Sequence, residues 1–200
     1  LTILVARIAG VPGYFSSADQ YPKTVNPFSN ERNIIYVEGS VARLGGKQFA
    51  SLLAHEFLHA LHWKIDHHEQ TWISEGSAEL AIDLAGYDTN SAAAFLQDPD
   101  TQLNAWSESR EEARKHYGAA YLFMKYFAQH YGGYGALKEF IATPGHGERK
   151  INSYLAQHGY STGFDDVFRH WVVANLLDEP GEGRYSYPDL EVQVNAVEKV

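Results

Sequence analysis

A chain of 200 residues with 44% hydrophobic and 14% aromatic side chains can bury one domain-sized core. With 25 acidic against 16 basic residues and a net charge of -9, it has no electrostatic reason to bind nucleic acid or an anionic membrane. It has no cysteine, which excludes disulfides, thiol nucleophiles and Cys-ligated zinc, and no apolar run approaches the roughly 20 residues of a membrane span.

Residues 2–8 alternate apolar and polar side chains and include several β-branched residues, which predicts a strand. The chain opens at Leu1 in mid-strand with no signal-peptide pattern, as a mature or excised domain would. Residues 10–33 carry Gly10, Pro12, Gly13, Pro22 and Pro27 among many Ser and Asn, as a long loop or a pair of short strands does. Residues 34–38 (IIYVE) are a second strand, and Gly45-Gly46 stops the chain before a helix over 47–64. In that helix Leu53, Phe57 and Leu61 recur at helical spacing and form the expected buried back. Leu52, His55, Glu56, His59 and Trp63 occupy the other side. A polar connection over 65–71 leads to a second helix over 72–85, ended by Gly86. From Ser107 onward the pattern is helical. Ser109 with Glu112 reads as a capping box and Glu111 with Lys115 as an i,i+4 pair. This long helix stops at Gly132-Gly133, and shorter helices follow over 134–142, 147–158 and 164–177. The segment YSYPDLEVQVNAV alternates as a strand would. The pattern predicts an α+β fold in one domain, 1–200, with strands and a central helix in 1–64 and a mainly helical lobe in 65–200.

The chemistry concentrates at His55-Glu56-Phe57-Leu58-His59, an HExxH motif. Two His four apart share one helix face, so both imidazoles reach one metal ion, and Glu56 beside them can take a proton from a water activated there. Catalytic zinc sites take three protein ligands and leave a position open. A third His six residues after the second would mark a metzincin; that position is Ile65, and the expected glycine is His62. A Cys ligand of the deformylase type is impossible here.

The stretch Trp72-Ile73-Ser74-Glu75-Gly76-Ser77-Ala78-Glu79 resembles the second motif of the gluzincin metallopeptidases, in which a Glu in an N/S-E-G-x-A setting follows the HExxH helix. Thermolysin-like enzymes and zinc aminopeptidases share that logic, with a somewhat longer spacing than the one between His59 and Glu75. The segments GYFSSADQYP, SNERNIIYVE, HEFLHALHW, WISEGSAELAIDLAGY and HYGAAYLFMKYFAQHYGG together resemble bacterial gluzincins related to hyicolysin and immune inhibitor A peptidases. The resemblance implies a zincin-like fold and a Zn²⁺ ion bound by His55, His59 and Glu75, with Glu56 as general base. It implies that Glu79 accepts the far ring N–H of His55, and Glu79 is the rival third ligand. It also implies that residues 34–38 are the edge strand with which an extended substrate pairs.

Zinc peptidases need a donor aimed at the developing oxyanion, and Tyr117 or His116 could supply it. Tyr117, Tyr121, Met124 and Phe127 also recur at core spacing, and Tyr121 reads as core. His62 reads as a helix C-terminal residue near the dipole, although it could join the metal face. His67 and His68 read as solvated. Asp83, Asp88, Asp98 and Asp100 could suggest calcium, but they lack EF-hand spacing and calcium is left unpredicted. The expected protein is a secreted, bacterial-type, monomeric zinc endopeptidase acting on a peptide or protein substrate. The alternatives are an inactive peptidase-like binding domain, an aminopeptidase, and a zinc hydrolase acting on a non-peptide bond. The intact Glu56 argues against the first, and the absence of an element to recognise a free N-terminus argues against the second.

Overall fold

The strands and the first helices belong to one compact unit and most of the helices to another. The computed structural model describes residues 1–179, 183–192 and 194. The first unit comprises Leu1–His67 and Ala81–Thr89, the second His68–Leu80 and Asn90–Val200. Among the described residues the fold is α+β, with one three-stranded sheet and eight α-helices, and no helix is long and apolar enough to cross a membrane.

In the first unit β1 (Thr2–Ala6), β2 (Gly13–Phe15) and β3 (Ile34–Glu38) form a sheet in the order β1-β3-β2. β1 is parallel to β3, with Thr2 opposite Ile34 and Ala6 opposite Glu38; β2 is antiparallel, with Gly13 opposite Val37 and Phe15 opposite Ile35. Residues 34–38 are therefore the central strand, with Ile34, Ile35 and Val37 buried, and not the expected edge. β1 is shorter than the 2–8 pattern, and Ile3, Leu4 and Val5 are all exposed, so the alternation does not mark a buried face. The loop between β2 and β3 is organised by buried Asp19. It accepts hydrogen bonds from Asn30 N at 2.7 Å, Asn30 Nδ2 at 2.9 Å and the Tyr36 hydroxyl at 2.5 Å. Burial first, and then the Asp19 carboxylate, push the Tyr36 phenol up to about 12.

A short helix that the sequence pattern does not announce, α1 (Gly39–Leu44), follows β3 directly. Its N-terminus is capped by Glu38, which accepts from Ser40 N at 2.6 Å. Gly45 and Gly46 have φ of 57° and 62°, in the region that favours glycine, and so turn the chain at once into α2 (Gly46–Ile65). The buried side of α2 is not the expected one. Phe57 and Leu61 are exposed, whereas Glu56, Leu58, Ala60 and His62 are buried. His62 stands in the last turn of α2, as expected, and is buried there.

The second unit is built around α5 (Arg110–His130), buried without interruption from Gly118 to Ala128. The remaining helices here are most of α3 (Thr71–Leu84), α4 (Ala92–Gln97), α6 (Ala136–Ala142), α7 (Glu148–Gln157) and α8 (Phe164–Leu177). Aromatic contacts knit them together. Phe123 of α5 meets Trp72 at 5.5 Å and Trp171 at 5.6 Å between ring centroids, and Phe127 meets Phe140 at 5.3 Å and Tyr154 at 5.4 Å. The two buried lysines are paired, Lys125 with Asp189 at 2.9 Å and Lys150 with Glu69 at 2.7 Å. At the start of α5 the expected capping box does not form, because Ser109 makes no side-chain cap bond. Lys115 pairs with Glu112 at 2.6 Å and Asp98 at 2.8 Å instead of Glu111. Of the expected C-terminal strand, the described part is a 3-10 turn at Gly183–Tyr185 followed by irregular chain; the rest lies outside the described residues.

α3 crosses α5 at its closest point through Gly76. A Cβ at that position would lie 2.5 Å from the Ala120 carbonyl oxygen and 2.9 Å from Met124 Cγ. Because backbone cannot yield as a flexible side chain does, Gly76→Ala should destabilise the protein by about 1–3 kcal/mol. Thermal and denaturant unfolding followed by circular dichroism would measure it, and an unchanged midpoint would contradict the close approach.

Candidate metal centre

The helical spacing of the HExxH motif sets the geometry on α2. His55 and His59 lie one turn apart, and their Nε2 atoms stand 3.1 Å from each other, with ring planes at 77°. Two imidazole nitrogens bound tetrahedrally to one zinc at about 2.05 Å would be about 3.3 Å apart. The pair therefore fits a zinc ion without a change of backbone, through the same ring nitrogen of each His. Both rings are half-buried, which leaves them accessible to an incoming ion.

Glu56 is 7% exposed. Its Oε2 accepts a hydrogen bond from the backbone N–H of Phe15 in β2 at 2.8 Å. A carboxylate removed from water requires such a donor, and an amide supplies it without a proton to lose. Further along α2, Trp63 meets Tyr21 at 6.1 Å and stacks on His67 at 4.7 Å, and the His67 Nδ1 bonds the Trp63 carbonyl oxygen. His67, just past α2, is exposed as expected and is tied back to the end of that helix.

On α3, Glu75 and Glu79 lie on successive turns, Glu75 half-buried and Glu79 buried. The start of this helix is pinned. Gln70 O accepts from Ile73 N at 3.1 Å and Ser74 N at 3.0 Å, and Gln70 Oε1 accepts from Trp72 Nε1 at 2.7 Å. Just before it, Glu69 accepts from Gly147 N at 2.8 Å and pairs with Lys150. Contacts of Trp72 with Phe123 and of Gly76 with Ala120 make α3 antiparallel to α5. Continuing that register brings the Glu79 turn to the Tyr117 turn. Ser91 closes the same level. Its hydroxyl donates to Glu79 Oε2, and its carbonyl oxygen lies against Gly118.

The two oxyanion-donor candidates differ. His116 is half-buried and donates Nδ1–H to Gln102 O at 3.1 Å, its ring 5.7 Å from that of Trp106. Tyr117, also half-buried, sets its ring edge-on to Trp106 at 4.9 Å and carries a phenolic O–H donor. Tyr121 is 3% exposed, as a core residue. The sequence carries no signal for the Phe15 amide on Glu56, because any residue but proline would supply that N–H. Nor does it announce the Ser91–Glu79 bond, which joins residues of two separate segments.

No family model matches the chain, and no curated protein matches its sequence.

The paired nitrogens lead to a direct expectation. The metal-free protein should take up about one Zn²⁺ per chain, measured by mass spectrometry of the metal after gel filtration. His55→Ala and His59→Ala should each abolish that uptake, and zinc retained by both variants would place the ion elsewhere.

Proposed function

We propose that this chain is a zinc-dependent endopeptidase of the gluzincin type, zincin-like in fold, in which His55, His59 and Glu75 hold Zn²⁺. The observation that carries the proposal is the HExxH helix itself, with its two Nε2 atoms 3.1 Å apart and a buried carboxylate between them in sequence. The E-G-x-A setting of Glu75 on the following helix supports the third ligand.

When bound, zinc would polarise the scissile carbonyl and make a water acidic near neutral pH. The protein's residues supply the rest. Glu56 accepts the proton of the attacking water on a carboxylate oxygen and delivers it to the nitrogen of the leaving amine. Its second oxygen is held by the Phe15 amide, so the side chain does not need to reorient between the two transfers. Tyr117, through its phenolic O–H, or His116, whose Nδ1–H bonds Gln102 O, is the oxyanion donor. Glu79, held by Ser91, serves to fix the orientation of His55 and thereby which ring nitrogen faces the ion. Water is the nucleophile, so no covalent acyl-enzyme forms. The substrate is a peptide or protein chain, and a secreted, monomeric enzyme of bacterial type remains the expected setting.

Glu56→Gln separates binding from catalysis. The variant should keep about one Zn²⁺ per chain while casein hydrolysis falls at least about 100-fold. Full activity in this variant would contradict the mechanism. Glu75→Ala should lose the metal, and if Glu79→Ala loses it while Glu75→Ala does not, the ligand assignment is wrong.

A further inference from the structure

β2 lies along α2 in a defined register, and this register puts one backbone group in the site. Glu38 N donates to Pro12 O at 2.8 Å, so Pro12 faces β3. Strand alternation turns Tyr14 the same way, opposite Tyr36, and points the backbone groups of Gly13 and Phe15 out of the sheet. The outward N–H of Phe15 ends 2.8 Å from Glu56 Oε2. Two residues earlier Gly13 lies beside the same helix: a Cβ there would lie 2.5 Å from the Tyr36 carbonyl oxygen of β3, which excludes any other residue, and 2.9 Å from Leu52 Cδ2 of α2. Leu52 and Glu56 are one helical turn apart, about 5.4 Å along the axis, and Gly13 and Phe15 are one pleat apart, about 6.7 Å. Strand and helix are thus close to being in step at two successive points, and the first of them tolerates only glycine.

We propose that the backbone N–H of Phe15 is a positioning group for Glu56: it holds Oε2 and thereby assigns proton transfer to Oε1. This inference rests on the peptidase function proposed above. A glutamate has three side-chain torsions, and the last is broad and two-fold, so an unanchored carboxylate would exchange its oxygens freely. A charge-assisted bond from a rigid amide removes that freedom and keeps the carboxylate in place while it is buried. The amide cannot titrate or change rotamer. The fold supplies it through β2, whose approach depends on Gly13.

Two measurements test this, one of them independent of activity. In the metal-free protein, the Phe15 amide faces out of the sheet and owes its protection to Glu56. Glu56→Ala should therefore speed its hydrogen exchange at least about tenfold, while Tyr14, bonded within the sheet, keeps its rate. Unchanged exchange at Phe15 would overturn the inference. In the zinc-loaded enzyme, replacing the Phe15 amide by an ester, with the side chain retained, should lower kcat about 10- to 100-fold. KM and zinc content should stay within about twofold. An ester enzyme with unchanged kcat, or one with raised KM alone, would overturn the positioning role. If the unmodified, zinc-loaded chain hydrolyses no peptide although the exchange signature is present, the peptidase function falls and the catalytic role falls with it.

Discussion

His55 and His59 lie four positions apart on α2, one helical turn, and the candidate site depends on that spacing. The helix period aligns the two imidazoles, and the surrounding chain sets which face of the helix is covered. Two glycines with positive φ let α2 start directly after α1, and Gly13 lets β2 lie against Leu52. The result is a helix that buries Glu56 and His62 while Phe57 and Leu61 stay exposed. Burying Glu56 and His62 carries a desolvation cost, and Leu58 and Ala60 are buried on the same helix. Polar groups brought inside at such a cost are a mark of sites that do chemistry.

The second unit solves a different problem, which is to present carboxylates on a rigid helix. α5 is buried around its whole circumference along its middle turns, so it can act as a fixed backing for α3. Gly76 brings the two backbones together, Trp72 and Phe123 lock the register, and the Glu69–Lys150 pair anchors the chain just before α3 begins. Glu75 and Glu79 then project from consecutive turns of a helix whose position is over-determined. Ser91 holds one of them, and Tyr117 lies at the same level on the backing helix. Groups fixed in advance by their packing lose little freedom when they act, which is the condition for efficient electrostatic catalysis.

The long helices were legible in the sequence because their signals are local. The runs that became α2, α3, α5 and α8 carry helical periodicity and end at Gly45-Gly46, Gly86, Gly132-Gly133 or near Pro180. β3 was legible as four apolar or β-favouring residues in a row, Ile34 to Val37, followed by Glu38. Its central place in the sheet was not, since strand order depends on which segments meet and not on the strand itself. α1 and α4 are six residues each, too short for periodicity to register. The buried face of α2 was misjudged for a physical reason. The apolar spacing Leu53–Phe57–Leu61 predicts the inner face, but Leu53 is only half-buried and Phe57 and Leu61 are exposed, whereas Glu56, Leu58, Ala60 and His62 are buried. Within the site, the side-chain candidates could be read from motif spacing. The Phe15 amide and the Ser91 hydroxyl could not, because one is backbone and the other acts from a separate segment.

The central claim is that one zinc ion is held by two histidines of α2 and one glutamate of α3. Diffraction from zinc-loaded crystals at the zinc absorption edge tests it most directly. The account predicts a single strong anomalous peak bound by His55 Nε2, His59 Nε2 and a carboxylate oxygen of Glu75. A peak away from the two histidines, or one bound by Glu79 in place of Glu75, would contradict it.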